Sequence, residues 1–184
     1  MIEAAAGIAV NEGLDKVTAK RVAAELGVFP GLVDHYFSAD QLVAAAFAHV
    51  AAEERDQTFA ELESEPDPLA EVRRLAADLL QADRDPISLL WLDAWQASRH
   101  RPALRDEVVF QMNEDIRCLA EVIQRGVDSG QLRVDEPASA AVQIFTLLDG
   151  LSVQAAIRGS VDYADVQTLV GGFVEQILGL KDGQ

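Results

Sequence analysis

Apolar residues recur at three- and four-residue intervals along almost the whole chain, and β-branched runs that alternate strictly with polar residues are absent. That spacing belongs to helices with one buried stripe, not to strands, so the pattern predicts an all-α fold. Glycine and proline punctuate it. Gly13 closes a first short helix, as a glycine just past a helix end often does. Thr18 is placed to cap a second helix that runs to about Leu26, and Gly27 ends it. A third short helix covers Pro30 to Tyr36, and a longer one runs from about Ala39 to about Leu62. The acidic stretch from Glu61 to Asp67 reads as a loop. Asp67-Pro68 and Asp85-Pro86 each pair an N-cap with proline at the first helical position, predicting helices over 68–83 and 86–99. Pro102 opens another helix that ends around Gly130. Pro137 opens an apolar helix that stops at Gly159, and Asp162 caps a last one reaching about Leu180. The total is about nine helices, with short connections and no internal repeat.

One segment carries more than periodicity. Thr18 to Phe37 reads TAKRVAAELGVFPGLVDHYF. Two helices crossing at a tight corner need a small residue at the crossing, and Ala23 supplies it. The corner needs a residue tolerant of positive φ four positions later, and Gly27 supplies that. Val22, Leu26, Val28, Val33 and Tyr36 are spaced to pin the pair against a third helix. The pattern is that of a helix-turn-helix; an ordinary αα-hairpin within a bundle is the plainer alternative.

Charge pulls against that reading. The formal net charge is −16, and residues 1–50 hold three bases (Lys16, Lys20, Arg21) against six acids. Phosphate contacts supply much of the affinity of DNA-binding proteins, so the case for nucleic acid rests on pattern. The 184 residues suffice for a small head and a larger body with a sizeable core. Cys118 is the only cysteine, so no disulfide framework exists and a reducing, cytoplasmic setting is expected. Met1-Ile2-Glu3 lacks the basic-then-apolar start of an export signal. The apolar stretch from Pro137 to Ile157 contains Gln143, Asp149, Gly150 and Gln154, which suits a buried interface helix better than a membrane span.

The motifs Ala4-Ala5-Ala6, Glu12-Gly13, Val17-Thr18, Val22-Ala23, Leu26-Gly27-Val28, Pro30-Gly31-Leu32-Val33 and His35-Tyr36-Phe37 together resemble the TetR family of transcription regulators. The His-Tyr-Phe run is most similar to its BetI-type branch. The specific part of the match covers about 40 residues of the head. The resemblance implies that Thr18 and Lys20 or Arg21 touch phosphate, and that Pro30, Gly31, Leu32 and His35 face the major groove. Tyr36 would contact phosphate or pack under the helix, and Phe37 would be core. The chain also departs from the family. Phe29 stands where a capping Ser is common, Asp34 places a carboxylate near phosphates, and Ser38-Ala39-Asp40 lacks the usual Lys.

The resemblance further implies a homodimer built from the last two helices. Ile144, Leu148, Leu151 and Ala155 on the first, with Val170, Phe173 and Ile177 on the second, are the expected interface; an intramolecular core is the other use for them, and both can hold, since a helix can face inward and across the dimer axis. A small-molecule pocket is expected between the central helices. Trp91 and Trp95 share a helix face, and Phe110, Met112, Cys118 and Phe145 are candidates to join them, although each also reads as plain core. Arg99, His100 and Arg101 form a dense basic cluster that suits a solvated helix end better than an anion site.

Enzyme chemistry finds no support. His35, His49 and His100 lack metal-ligand spacing, no second Cys accompanies Cys118, and no phosphate-cradling glycine loop occurs. Glu53-Glu54 and Asp83/Asp85 show nothing that marks an acid–base couple. No cofactor and no membrane partner are expected. The sequence thus predicts a DNA-binding head over residues 1–46 and a ligand-binding, dimerising body over 47–184. The function expected is a repressor on a palindromic operator, released by a small molecule. The alternative is a TetR-like binding or interaction protein that has lost its hold on DNA.

Overall fold

The computed structural model describes residues 1–158 and 163–180. Among them the chain is all helical: α1 (Ile2–Glu12), a short 3-10 turn (Leu14–Lys16), α2 (Ala19–Leu26), α3 (Pro30–Tyr36), α4 (Ala39–Leu62), α5 (Pro68–Asp78), a second 3-10 turn (Ala82–Arg84), α6 (Asp85–Ser98), α7 (Pro102–Asp128), α8 (Pro137–Arg158) and α9 (Tyr163–Ile177).

Most boundaries fall where local chemistry puts them. The Asp67 carboxylate accepts the Ala70 N–H at 2.8 Å, so the cap of α5 is real. Two expectations fail. The helix expected over 68–83 stops at Asp78, and Asp85 is not a free cap, because the turn Ala82–Arg84 runs straight into α6. Proline at 86 is compatible with either arrangement, so the sequence signal could not separate them. The expected stop at Gly159 and cap at Asp162 lie outside the described residues.

The chain forms two compact units. The first comprises Met1–Arg55 and Leu89–Met112. Its interior is built from Ala5, Ile8, Val22, Ala23, Val33, Leu42, Phe47, Ala94 and Leu104. Gln111, buried on α7, accepts a hydrogen bond from Arg55 Nη1 at 2.6 Å, which satisfies its carbonyl oxygen.

The second unit comprises Asp56–Ser88 and the chain from Asn113 onward. Its core joins Leu62, Leu75, Leu80, Leu119, Ile123, Ile144, Leu148, Val174 and Leu178. Helices α5 and α8 both pack on α9. Glu71 is buried there and its carboxylate takes Arg125 Nη2 at 2.6 Å, so the charge is paired.

Pro137–Ile157 is long and apolar enough to cross a membrane by length and composition alone. Only 28% of that window is buried, and Val142 and Ile157 on α8 are exposed among the described residues.

Candidate functional site

The corner after α2 is set by three local interactions. The Thr18 hydroxyl accepts the Arg21 N–H at 3.1 Å and caps α2. Gly27 adopts φ 67 and ψ 31, the left-handed conformation that closes the helix. Val28 N–H then reaches back to the Ala23 carbonyl at 2.9 Å. With Ala23 wholly buried and small, α3 closes onto α2.

This packing decides which face of α3 looks outward. Val33 is buried, and so is Val22 opposite it. Pro30, Gly31, Leu32, His35 and Tyr36 are exposed, as are Thr18 and Lys20 at the start of α2. The expected pinning role of Leu26 and Tyr36 is corrected: both point to solvent, because Val22 and Val33 fill the seam first. Packing of Tyr36 under the helix is thereby excluded. Val28 and Phe37 are half-buried.

Charge in the head is largely self-neutralised. Arg21 donates from Nη2 to Glu12 at 2.6 Å, from Nη1 to Glu25 at 2.8 Å, and from Nε to both Glu12 oxygens at 3.2 Å. Hydrogen bonding to Glu12 raises the guanidinium pKa still further, and the same bond lowers that of Glu12. Lys16 is paired with Asp15, and this bond raises the amine and lowers the carboxyl. Lys20 has no ion pair among the described residues. Arg21, expected as a phosphate contact, is therefore already engaged by two carboxylates. Glu25 lies one helical turn from Arg21, a spacing visible in the sequence. Glu12, on another helix, was not foreseeable from spacing.

The candidate pocket residues are divided between the two units. Trp91 meets Phe47 edge-on at 4.9 Å between ring centroids, and Trp95 lies 6.2 Å beyond, tilted by 50°. Both Trp residues are half-buried, and the Trp95 indole N–H is buried with no acceptor among the described residues. Phe110 is 54% exposed and cannot line a closed pocket. The reason is helical phase: α7 turns Leu104, Val108 and Gln111 inward, and Phe110 falls between them. Met112 is half-buried in the first unit, whereas Cys118 and Phe145 belong to the second.

A separate open cleft of about 280 Å³ in the first unit is lined by Leu14, Asp15, Val43, Asp93, Gln96, Ala97, His100 and Arg101. Arg99 and His100 are exposed, while Arg101 Nη1 stands 3.9 Å from Asp40. Among the described residues no group of three His, Cys, Asp or Glu side chains is placed to hold a metal ion.

The residues expected at a dimer interface are also redistributed. Ile144, Leu148, Ala155 and Val170 are wholly buried within the chain, and Leu151 and Ile177 pack against the second unit's core. These six are used at least in part within the chain, while Phe173, the seventh expected there, is exposed. The apolar groups left outside are Val142 and Ile157 (61% exposed) on α8, with Leu169 and Phe173 (47%) on α9. They occupy a face of each helix offset from the buried seam, which period-counting without neighbours cannot assign.

A helix-turn-helix with an exposed third helix, carried on an all-helical scaffold, defines the TetR class of transcription regulators. Residues 68–179 match the C-terminal region of the BetI-type transcriptional repressor, well over half the chain, and the protein belongs to that family. The HTH-type transcriptional regulator BetI of Klebsiella pneumoniae is 28% identical over 177 residues, 92% of this chain and 88% of the relative. Among solved structures, a TetR-family regulator from Rhodococcus sp. superposes with a TM-score of 0.81 over 96% of this chain and 95% of its own, at 21% identity. A transcriptional regulator from Saccharomonospora viridis, solved in complex with choline, gives a TM-score of 0.77 over 95% and 93% at 22% identity. Its relatives are regulators and not enzymes.

Proposed function

We propose that the chain is a homodimeric repressor that binds a palindromic operator and is released by a small molecule. The observation that carries this reading is the exposed face of α3, with Pro30, Gly31, Leu32, His35 and Tyr36 presented beyond the Gly27 corner. Two such helices, one DNA turn apart at about 34–36 Å, would enter successive major grooves. DNA contact is assigned to residues 1–46, and effector binding and dimerisation to residues 47–184.

Dimerisation uses Val142, Ile157, Leu169 and Phe173, whose exposure on an otherwise apolar helix pair supports a covering partner. A second copy placed there buries the same patch on both protomers, as two-fold symmetry requires.

The effector site is assigned to the Trp91–Trp95 pair. Two indole faces attract an organic cation, and the Trp95 N–H offers a donor to a polar substituent. A quaternary ammonium compound is the first candidate, in keeping with the choline held by the Saccharomonospora viridis relative. Effector binding shifts the population toward a form that cannot engage both half-sites, through α4, the covalent continuation of the head, with a coupling of about 1–3 kcal/mol. The protein works in the cytoplasm on double-stranded DNA, without a cofactor or a membrane.

Fluorescence anisotropy with duplex from the region flanking its own gene tests the reading. Salt-dependent binding that millimolar choline reverses is expected. Absence of DNA binding at low salt would instead favour the second reading, a ligand-binding or interaction protein of TetR shape, for which the Glu12–Arg21–Glu25 cluster is the motivating observation.

A further inference from the structure

Phe29 is 86% exposed, more than any other large apolar side chain among the described residues. It occupies the N-cap position of α3 and makes no side-chain capping bond. An extended backbone there, φ −78 and ψ 140, aims it away from the α2–α3 seam that Val33 closes. Leu32 and Tyr36 on α3 are exposed as well, so three large apolar side chains between Phe29 and Tyr36 reach solvent. Exposed large apolar groups gathered in one short segment mark a contact, and this segment is α3 with its N-cap, the helix that HTH regulators of this family turn toward DNA.

The electrostatics sharpen the assignment. Two of the head's three bases are engaged by carboxylates, and Asp34, on the same short helix, is exposed. Phosphate attraction from this head is therefore weak, and base contacts must carry a larger share of recognition. In the major groove the apolar landmark on a base edge is the C5-methyl group of thymine. We infer that Phe29 is a specificity-determining residue that packs on a thymine methyl group in each half-site, with Leu32 beside it.

The inference rests on the DNA-binding reading above. Full-length protein would select duplexes from a random-sequence library at low salt, and each thymine of the enriched site would be replaced singly by uracil. At one or two positions per half-site, removal of the methyl should weaken wild-type binding about fourfold, the worth of one buried methyl group. Phe29→Ser should still bind but lose that thymine–uracil difference, while Phe29→Leu keeps part of it. Thermal unfolding should not change, since the side chain is in solvent.

Equal discrimination by wild type and Phe29→Ser, or no uracil effect at any position, would overturn the assignment and leave DNA binding intact. Loss of dimer in Phe29→Ser without any change in the uracil pattern would give Phe29 to a second protein copy and also overturn it. Failure to enrich any duplex would remove the DNA-binding reading itself, and this inference with it.

Discussion

Arg21 and Glu12 are joined through two guanidinium nitrogens across nine residues of chain, at 2.6 Å from Nη2 and 3.2 Å from Nε. Glu25 closes the other side of the same guanidinium at 2.8 Å. A phosphate approaching α2 must displace a carboxylate to reach this arginine. Replacing both acids, Glu12→Gln with Glu25→Gln, should therefore tighten DNA binding and make it more salt-sensitive. Freeing one phosphate contact per protomer steepens the slope of log K against log salt by about 0.9 per contact, or about 2 for a dimer. Arg21→Ala should change affinity little. Anisotropy titrations across a salt series read both outcomes, and a large loss from Arg21→Ala with no gain from the double variant would contradict the clamp.

The helical fold and its corner were legible in the sequence because their determinants are local. Thr18, Gly27, Asp67 and Pro137 act through hydrogen bonds and dihedrals within a few residues of themselves. The partition of apolar residues between core and surface was not. Ile144 and Val142 are two positions apart on α8, equally apolar, and only the packing of neighbouring helices in the second unit makes one wholly buried and leaves the other exposed. The same holds for Phe110 beside Gln111, where the polar residue is the inward one because Arg55 meets it. The pairing of Arg21 was hidden for a related reason: its strongest partner comes from α1, beyond any helical spacing.

Phe173 and Ile144 separate the proposed interface from the core. Phe173→Glu places a charge on the exposed face of α9 and should dissociate the dimer while leaving helicity unchanged. Ile144→Ala removes buried volume from the second unit and should cost about 2–5 kcal/mol of stability. Sedimentation velocity together with urea unfolding distinguishes the two. A Phe173→Glu protein that sediments as wild type would exclude this face from the dimer.

Asp149 introduces a pH dependence. Burial pushes its carboxyl up to about 6 from an ordinary value near 3.8. The folded protein therefore holds this proton more tightly than the unfolded chain, so stability falls as pH rises from about 4 to about 6 and is level above that. At about 1.4 kcal/mol per pKa unit, the ionised group costs at most about 3 kcal/mol at neutral pH. Asp149→Asn should raise the Tm at pH 7 and flatten the Tm profile between pH 4 and 6. An unchanged Tm at pH 7 would mean that the carboxylate is solvated in solution.

Two glycines with similar φ should respond differently to alanine. Gly27 has φ 67, and a Cβ added there meets nothing within 4 Å, so Gly27→Ala carries only the left-handed penalty of about 1–2 kcal/mol. Gly179 has φ 70, but its Cβ would collide with the carbonyl oxygen of Arg133. That segment is held by the Arg133 N–H bonded to the Leu178 carbonyl at 3.3 Å, so backbone must move to make room. Gly179→Ala should therefore destabilise the second unit more than Gly27→Ala destabilises the head, by roughly 1–3 kcal/mol beyond the shared penalty. Gly27→Ala should in turn affect DNA binding more than its stability loss suggests, because the corner sets the direction of α3. Urea unfolding of both variants beside an anisotropy titration measures the two effects; equal stability losses would show that the Arg133 segment yields without cost.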